Sequence, residues 1–420
     1  MNQDTRKSNN SNFFSEALSS VERVRFDRQL RLPGWNQKAL KDSTVLIVGV
    51  GGLGTEVAKN LAMAGVGVLH LIDLDIIEHS NLNRQILFYD AEEGEPKSKV
   101  AARTLRKINP HSRYIWHYSN LEDVDPEIYA TADLYIAGLD SVTARNELIR
   151  RAVHFKKPMI DGGTATYYGH VYTYLPDENS CLQCDPQRER ERETLAACTL
   201  VGVPRKRSHC LLKGQLFFES KHNRPPDTTV VDEVKIALDY ANDLVKEHFP
   251  DSGLFTLDEA VKMIDQHDPT VISINAVIAS IQTQESLKLL HHIKGIKLGT
   301  VNPEYLIYNG LVGKFFYIEK PPNKECHLCG SNAPIIETIE LPDTSTLDMI
   351  LPIIKNRGYT FDPELLPNFW LMDLKEMKEA QKGFTLKEQK IRNYETVYVT
   401  GLSKDNEEID VYLRILLKSR

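Results

Sequence analysis

The chain reads VLIVGVGGLG over residues 45–54. The first four residues form a short apolar run, which is typical of a strand that is buried on both faces of a parallel sheet. A glycine-rich turn follows, and then a stretch that we predict to be helical as far as Ala64, where Gly65 ends it. A second apolar run, Val68–Ile72, leads directly into Asp73. A strand, a glycine turn, a helix and an acidic residue at this spacing predict a nucleotide-binding α/β fold.

The glycine turn offers a place for the phosphates of a nucleotide. Glycines allow the backbone to turn sharply and to approach a phosphate closely, and the following helix presents free amide groups at its N-terminus. Asp73 would then accept hydrogen bonds from ribose hydroxyls. The competing interpretation is a turn of a doubly wound sheet whose crevice holds no nucleotide. The glycines concerned are Gly49, Gly51, Gly52 and Gly54.

Charged residues beyond Asp73 indicate which nucleotide binds. Asn81, Arg84 and Lys97 follow it closely in sequence. Hydride transfer does not need a guanidinium and an ammonium near the phosphates. Cleavage of a triphosphate does, because negative charge accumulates on the phosphate oxygens and on the leaving pyrophosphate. A further apolar strand ends shortly before Asp140, which places a carboxylate at the carboxyl edge of the sheet, where magnesium would sit. Each charge taken alone is more often a solvated surface residue.

Two Cys-x-x-Cys pairs lie far apart in the sequence. Two residues between thiolates let one turn of backbone present both sulfurs to one metal ion, and two such pairs fill a tetrahedral zinc site. The sequence therefore predicts a structural zinc ion with no open coordination position. Disulfides are the weaker interpretation, because the chain has only six cysteines in 420 residues and shows no secretory signal. The pairs are Cys181 with Cys184 and Cys326 with Cys329, and Cys198 lies between them.

The composition is that of an ordinary soluble protein, and the length suggests roughly two to three domains. Hydrophobic residues make up 41% of the chain and charged residues 26%, with a net charge of −7. This acidic balance argues against nucleic-acid binding, which usually needs a basic face. The longest apolar candidate, Val271–Ile281, is interrupted by polar residues and falls short of the roughly 18 residues of a membrane span. We therefore expect a cytoplasmic protein with no membrane partner and a mobile tail over residues 1–22.

Several motifs together resemble the ubiquitin-activating enzymes and the related bacterial sulfur-carrier adenylyltransferases. The most specific is the run from Asn81 to Gln85, which reads NLNRQ, and the resemblance extends from about residue 23 to about residue 330. It implies that Asp73 binds ribose, with Asp75 in the same site, and that Asp140 is the magnesium ligand. The residues that it implies as contacts to the phosphates of ATP are Asn81, Arg84, Gln85 and Lys97. The remaining motifs are Arg25–Gln29, Gly49–Gly54 and the four zinc-type cysteines.

The same resemblance gives Arg28 a role in the active site of a partner. It implies that Arg28 acts as an arginine finger that reaches across a dimer interface. Taken alone, Arg28 would be interpreted as a surface residue. One chain here carries both the finger and a complete nucleotide site, so we expect a homodimer with two sites.

The segment that begins with Cys198 and Thr199 resembles the catalytic-cysteine segment of enzymes that transfer a ubiquitin-like protein. The resemblance implies that Cys198 is the nucleophile and that Thr199 is part of the catalytic group. A thiolate that attacks an acyl-adenylate releases AMP and leaves a thioester, and a nearby cation such as Arg205 would favour the thiolate. The alternative is a buried structural cysteine, since residues around Cys198 are mostly apolar. We interpret Cys210 as structural.

The predicted elements divide the chain into an α/β fold with an insert and a further domain. Residues 23–185 and 269–330 form a Rossmann-like adenylation domain with a zinc clasp, and the second part carries the second cysteine pair. Residues 186–268 form a small, mostly helical catalytic-cysteine insert. Residues 331–420 form a C-terminal domain that is β-grasp and ubiquitin-fold-like by its place in the resemblance. An unrelated small α+β domain is the alternative there.

Within this C-terminal domain, the sequence predicts a helix followed by strands. Apolar residues at helical spacing begin at Leu347, and Pro352 predicts that the helix is kinked or starts late. Apolar and polar residues alternate from Ile409 to Ile415, which is the period of a half-buried strand.

We therefore expect the chain to activate a ubiquitin-like protein that ends in Gly-Gly, with ATP, magnesium and zinc. The steps would be adenylation of the C-terminal carboxylate, thioester formation on Cys198 and transfer to a conjugating enzyme. A sulfur-carrier adenylyltransferase, which stops at the acyl-adenylate, is the nearest alternative. A non-catalytic scaffold is the second, although such a chain would be expected to have lost Arg84, Lys97, Asp140 or Cys198.

Overall fold

A computed structural model describes residues 18–184, 204, 207–222, 224, 226–264, 271–331, 333–362, 367–373, 376–381, 383–405 and 407–418. The chain divides into two compact units. The larger unit consists of Met1–Cys184 and Thr270–Arg420, and the smaller unit consists of Asp185–Pro269. Cys198, Thr199 and Arg205 lie outside the described residues, as does most of the predicted N-terminal tail.

An eight-stranded sheet forms the centre of the larger unit. Its strands along the chain are β1 (Thr44–Val48), β2 (Val68–Asp73), β3 (Arg113–Tyr118), β4 (Leu134–Ala137), β5 (Met159–Ala165), β6 (Tyr168–Tyr174), β7 (Tyr305–Asn309) and β8 (Lys314–Ile318). They lie side by side in the order β3-β2-β1-β4-β5-β6-β7-β8. Strands β1 to β5 pair in parallel, and β6, β7 and β8 continue the sheet in antiparallel pairs. The chain reverses its direction of growth across the sheet at β1, which lies between β2 and β4, and this confirms the predicted Rossmann-like arrangement.

Helices of the larger unit cover its eight-stranded sheet on both faces. The described helices are α1 (Ser20–Arg25), α2 (Asp27–Leu30), α3 (Gln37–Lys41), α4 (Gly52–Ala64), α5 (Lys97–Ile108), α6 (Pro126–Thr131), α7 (Val142–His154), α8 (Arg207–His222), α9 (Val231–His248), α10 (Leu257–Ile264), α11 (Ile272–Ile293) and α12 (Ile350–Asn356). Helix α4 ends at Gly65, whose φ of +88° lies in the left-handed region, as the sequence predicts. Helix α7 begins directly after Asp140, with Ser141 as its N-cap.

Alternate residues of β1 are buried in two separate cores. Val45 and Ile47 share one core with residues of α4, α5 and α11. Leu46 and Val48 share the other with residues of α6 and α7. All four side chains are at most 1% exposed, and burial of each stabilises the fold by roughly 1.5–3 kcal/mol. Because helices cover both faces, the four residues Val45–Val48 are all apolar, and the prediction of a doubly buried strand is confirmed.

The C-terminal part of the larger unit has a second, five-stranded sheet with a core of its own. Its strands are β9 (Ile335–Pro342), β10 (Asn368–Asp373), β11 (Glu376–Glu379), β12 (Thr396–Lys404) and β13 (Glu407–Lys418), in the order β11-β10-β12-β13-β9. The first and last of these strands, β9 and β13, pair in parallel. Val411, Leu413 and Ile415 are fully buried, which confirms the predicted alternation. Helix α12 begins at Ile350, so Pro352 lies in its first turn, where proline is tolerated.

This second sheet contacts the end of α7. The Oγ1 of Thr396 lies 2.9 Å from Nε2 of His154, and the guanidinium of Arg414 lies 4.8 Å from the ring centroid of Phe155. Arg414 also donates a hydrogen bond to the carbonyl oxygen of His154. One helix therefore connects the region of Asp140, at its beginning, with the C-terminal sheet at its end.

The smaller unit is described as three helices around an apolar core. Helices α8, α9 and α10 contribute buried side chains that include Leu211, Val234 and Ala260. A β-carbon at Gly214 of α8 would lie 2.1 Å from the carbonyl oxygen of Ala237 in α9, so this glycine allows the two helices to approach closely.

Over the whole described part of the chain, we find no helix with the length and apolar character needed to cross a membrane.

Candidate active site and cysteine cluster

The glycine turn after β1 forms the first part of the candidate site. Gly49 has a φ of +82°, in the left-handed region that favours glycine. A β-carbon added to Gly49 would lie 2.5 Å from the carbonyl oxygen of Gly138. A β-carbon added to Gly54 would lie 1.9 Å from the carbonyl oxygen of Gly49. Helix α4 follows with Gly51 at its N-cap, and a residue without a side chain cannot occupy the free amides of the first turn. The turn therefore excludes larger residues and leaves these amides open to an anion.

Asp73 connects this turn to the segment after β2. Its Oδ2 accepts a hydrogen bond from the amide of Val50 at 2.6 Å, and its Oδ1 accepts one from the amide of Asp75 at 2.8 Å. Burial raises the pKa of Asp73, and the two amide donors and the charge of Lys97 oppose that rise. The two backbone contacts fix the direction of the carboxylate at the edge of the sheet.

Lys97 supplies a buried cation beside this carboxylate. It is only 8% exposed and begins α5. Its Nζ lies 2.9 Å from Oδ2 of Asp75, and its amide donates to the carbonyl oxygen of Asp75 at 3.0 Å. Asp75 itself is exposed. The ammonium group is therefore held at this edge of the sheet by a carboxylate that solvent can reach.

The Asn-Leu-Asn-Arg-Gln run lies in a tight turn between β2 and α5. The side chains of Asn81 and Gln85 are each 4% exposed. Oε1 of Gln85 has no hydrogen-bond partner among the described residues, although it is buried. Arg84 is half-buried and donates to Oδ1 of Asn83 at 3.1 Å. The buried amide of Gln85 thus keeps one acceptor that no described residue uses.

The sheet brings Asp140 to the same edge as the glycine turn and Asp73. In the parallel pairs, Val48 of β1 lies opposite both Ile72 of β2 and Ala137 of β4. The amide of Gly138 donates to the carbonyl oxygen of Val48 at 2.8 Å, so β1 and β4 remain in contact where they end. Asp140 follows two residues later and is exposed. Three strands thus deliver their polar residues to one carboxyl edge, as sequence predicts.

Sequence reasoning missed a buried ion pair behind this edge. Nη1 of Arg145, on α7, lies 2.6 Å from Oδ1 and 2.7 Å from Oδ2 of Asp161, on β5. Nε2 of His170, on β6, lies 3.1 Å from Oδ2 of Asp161. Burial would raise the pKa of Asp161, but Arg145 and His170 hold it at about 2. The available signal was an aspartate inside a buried strand, followed directly by two glycines.

The structure does not bring Arg28 to the glycine turn of its own chain. The neighbouring Gln29 donates from Nε2 to the carbonyl oxygen of Ala64 at 2.9 Å, at the C-terminal end of α4. The glycine turn lies at the other end of this helix, which has 13 residues and a length of about 20 Å at the usual rise. Arg28 is exposed.

The four cysteines of the two pairs form one cluster. Their sulfur atoms all lie within 4.8 Å of one another. The separations are 3.7 Å between Cys181 and Cys184, 3.8 Å between Cys181 and Cys326, and 3.4 Å between Cys184 and Cys329. These are too long for disulfide bonds, in which sulfurs lie about 2.05 Å apart. Four sulfurs bound at about 2.3 Å to one zinc ion would lie roughly 3.8 Å apart, so the cluster has dimensions that can hold zinc.

Two cysteines, Cys198 and Cys210, are not among these four. Cys198 lies outside the described residues. Cys210 is fully buried in the core of the smaller unit, and burial raises the pKa of its thiol. A thiol that is both buried and harder to deprotonate is a poor nucleophile, which is consistent with a structural role for Cys210.

Comparisons with known proteins match most of the chain. The ThiF family matches residues 26–328. The Nedd8-activating enzyme E1 catalytic subunit of Drosophila melanogaster is 31% identical over 326 residues, which cover 74% of this chain and 71% of that protein. The NEDD8-activating enzyme E1 catalytic subunit of Arabidopsis thaliana is 30% identical over 328 residues, which cover 74% and 70%. Among solved structures, E. coli MccB with ATP aligns at 18% identity and a TM-score of 0.49, over 76% of each chain.

Proposed function

Because this chain belongs to the ThiF family and, within it, to the enzymes that activate ubiquitin-like modifiers, we propose a three-step activity for it. The chain adenylates the C-terminal glycine carboxylate of a ubiquitin-like protein with ATP. It then transfers the acyl group to Cys198 as a thioester and passes it to a conjugating enzyme. The names of the relatives make a NEDD8-like protein the first modifier to test.

One observation carries the adenylation step. A continuous hydrogen-bonded path runs from the amide of Val50 in the glycine turn, through the carboxylate of Asp73, to the amide of Asp75. The carboxylate of Asp75 then pairs with the ammonium of Lys97. The glycine turn, the carboxylate proposed to bind ribose and the cation proposed to bind phosphate are thus connected within one edge of the sheet. This combination suits a nucleoside triphosphate whose phosphates are to be cleaved.

In the proposed reaction, a carboxylate oxygen of the modifier attacks the α-phosphorus of ATP. The bond between that phosphorus and the bridging oxygen breaks, and pyrophosphate leaves with the electron pair. Lys97 and Arg84 stabilise the negative charge that accumulates on the phosphates. The thiolate of Cys198 then attacks the acyl carbon, and AMP leaves as the thioester forms.

The donor atoms at this edge fit a magnesium ion. Asp140 is exposed at the end of β4, and carboxylate and phosphate oxygens are ligands that magnesium prefers. Asp140 would hold the ion together with the phosphates of ATP. When bound, magnesium neutralises charge on the phosphates.

We assign the cysteine cluster to a structural zinc ion. The sulfur separations support this assignment, because they suit a tetrahedral site. Four thiolates leave no position for water, so the ion would take no part in the chemistry. Its role would be to hold the segment before the smaller unit to the segment after β8.

We also assign Arg28 to the active site of a second copy of the chain. The length of α4 supports this, since it separates Arg28 from the glycine turn of its own chain. Exposed apolar side chains on the same N-terminal segment support a protein contact there. These side chains are Val21, Val24, Leu30 and Leu32.

The C-terminal sheet is proposed to recruit the conjugating enzyme as a β-grasp domain. The parallel pairing of its first and last strands and the presence of helix α12 support a β-grasp relationship. Removal of residues from Asn332 onward should then leave thioester formation intact and slow transfer. Loss of adenylation in a truncated protein that is still folded would point to a structural role instead.

The proposed function is tested by ATP–pyrophosphate exchange with candidate β-grasp proteins that end in Gly-Gly. We expect exchange that depends on the modifier, and then a modifier adduct that runs on a non-reducing gel and disappears with dithiothreitol. Exchange without such an adduct would favour a sulfur-carrier adenylyltransferase. No exchange with a broad set of these proteins would contradict the proposed function.

A further inference from the structure

A buried polar cluster lies behind the loop that carries Asp140. It consists of Arg145 on α7, Asp161 on β5 and His170 on β6. Asp161 is 1% exposed, so its charge has to be balanced within the protein. Nη1 of Arg145 bonds both of its oxygens and lies 3.3 Å from Nε2 of His170. Asp161 therefore holds the guanidinium, and His170 on the adjacent strand contacts the same carboxylate.

The other branch of the guanidinium reaches the loop itself. Nη2 of Arg145 donates a hydrogen bond to the carbonyl oxygen of Leu139, the residue directly before Asp140. A second buried side chain, Gln282 on α11, donates from Nε2 to the carbonyl oxygen of Ala137 at 3.0 Å. The backbone from the end of β4 to Asp140 is thus held at two carbonyl groups by residues from two different helices.

The sequence around Asp161 is adapted to these contacts. A β-carbon at Gly162 would lie 2.4 Å from Cδ of Gln282. A β-carbon at Gly163 would lie 2.4 Å from Cε1 of His170 and 2.9 Å from Nη2 of Arg145. The two glycines therefore leave room for the three side chains, which explains the Asp-Gly-Gly sequence inside β5.

We propose that Arg145 is a positioning residue for the nucleotide-bound cation. Held by Asp161, which His170 also contacts, it fixes the Leu139 carbonyl group and so directs the carboxylate of Asp140 toward the cation that accompanies ATP. The proposal rests on the proposed function, because Asp140 meets a cation only if a nucleotide–metal complex binds at this edge. Arg145 itself touches neither the nucleotide nor the cation in this account.

An arginine suits this position better than any other residue. Its planar guanidinium offers separate N–H groups to a carboxylate on one side and to a carbonyl on the other. A lysine would keep the positive charge beside Asp161, but its single Nζ cannot occupy both positions of the guanidinium. The ion pair with Asp161 also neutralises the positive charge of the guanidinium, so the cluster does not repel a cation bound at Asp140.

The test compares Arg145→Lys with Arg151→Lys on the same helix. The Arg151 side chain has the same exposure as that of Arg145, 13%, and its Nε lies 3.0 Å from Glu147. It packs over the ring of Tyr129, 4.5 Å from the ring centroid, and so serves as a matched control. The main measurement is the affinity for Mn²⁺, by electron paramagnetic resonance, in the presence of a non-hydrolysable ATP analogue. The second is the magnesium concentration that half-saturates ATP–pyrophosphate exchange.

We expect Arg145→Lys to weaken Mn²⁺ binding by about tenfold, which is typical of a residue that orients a metal ligand. The magnesium requirement should rise by a similar factor, and excess magnesium should restore the rate, while KM for the modifier stays the same. Arg151→Lys should behave as the wild type. If both variants bind Mn²⁺ equally well, or if excess magnesium does not restore exchange, the positioning role is wrong.

Two controls separate this proposal from its premises. If Arg145→Lys does not fold, as judged by its melting temperature, the pair Arg145→Gln with Asp161→Asn replaces the ion pair by neutral amides and should show the same loss of Mn²⁺ affinity. Wild-type affinity in that double variant would overturn the proposal. If the wild type itself shows neither Mn²⁺ binding with the nucleotide nor modifier-dependent exchange, the proposed function fails first.

Discussion

The nucleotide edge of the sheet and the four-cysteine cluster are both assembled from segments that are far apart in sequence, but they are supported differently. In the cluster, the ligands themselves fill the site, and four sulfur atoms lie within 4.8 Å of one another. At the nucleotide edge, side chains that are proposed to face ATP are held by other groups: Asp75 pairs with Lys97, and two backbone amides donate to Asp73. A structural metal site needs little more than its ligands. A site for a charged substrate that comes and goes needs further residues to orient the ones that bind it.

The largest expected effect is at Lys97. Lys97→Ala should lower modifier-dependent ATP–pyrophosphate exchange by about 10²–10³-fold, because the phosphates lose a preorganised cation. The matched control is Lys99→Ala, which removes an exposed lysine two residues further along the same helix and should change exchange little. Equal effects of the two substitutions would mean that general surface charge, and not a phosphate contact, supports the reaction.

Arg28 tests whether the nucleotide edge is complete within one chain. Arg28→Ala should lower exchange by about 10²-fold, if the residue stabilises transition-state charge. The control is Arg31→Ala, which removes another exposed arginine nearby and should have little effect.

A mixing experiment tests whether Arg28 acts in trans. Equal amounts of Arg28→Ala and Lys97→Ala protein, allowed to exchange subunits, should recover about a quarter of wild-type activity. Random pairing makes half of the dimers mixed, and each mixed dimer has one intact site. No recovery after verified subunit exchange would contradict a finger that acts in trans.

Removal of one cysteine ligand should affect stability and leave the chemistry unchanged. Cys326→Ser should lose zinc and lower the melting temperature by roughly 10 °C, because binding of a structural ion adds to the free energy of unfolding. The exchange rate per folded molecule should stay near that of the wild type. Cys210→Ala is the control, since it should keep one zinc per chain by metal analysis. Full stability of Cys326→Ser, or purified wild-type protein without zinc, would argue against a structural zinc ion.

The parts of the fold that sequence predicts are those whose signal is local. The apolar run at Val45–Val48 indicates a doubly buried strand, and glycine at position 65 ends α4 because few other residues adopt its backbone conformation. The two cysteine pairs predict their own cluster, because two short spacings are enough to name the ligands. Asp140 is also predictable, since parallel strands end at a common edge.

The supporting residues of the nucleotide edge could not be predicted in the same way. Arg145 lies on a helix with many charged residues, and nothing in its neighbours distinguishes it from a solvated arginine. Its role depends on Asp161 and His170, which only the packing of α7 against β5 and β6 brings to it. The position of Arg28 relative to its own glycine turn likewise depends on how the N-terminal helices contact the end of α4.

The most direct test of the account is a comparison of the two chemical steps in Cys198→Ala. We predict that this variant keeps modifier-dependent ATP–pyrophosphate exchange, since cleavage of ATP relies on Arg84, Lys97 and the magnesium held at Asp140. The same variant should form no dithiothreitol-labile adduct with the modifier, because a methyl group cannot attack the adenylate. Asp140→Ala should lose exchange and, with it, the adduct. A labile adduct that persists in Cys198→Ala would place the nucleophile at another residue and contradict the account.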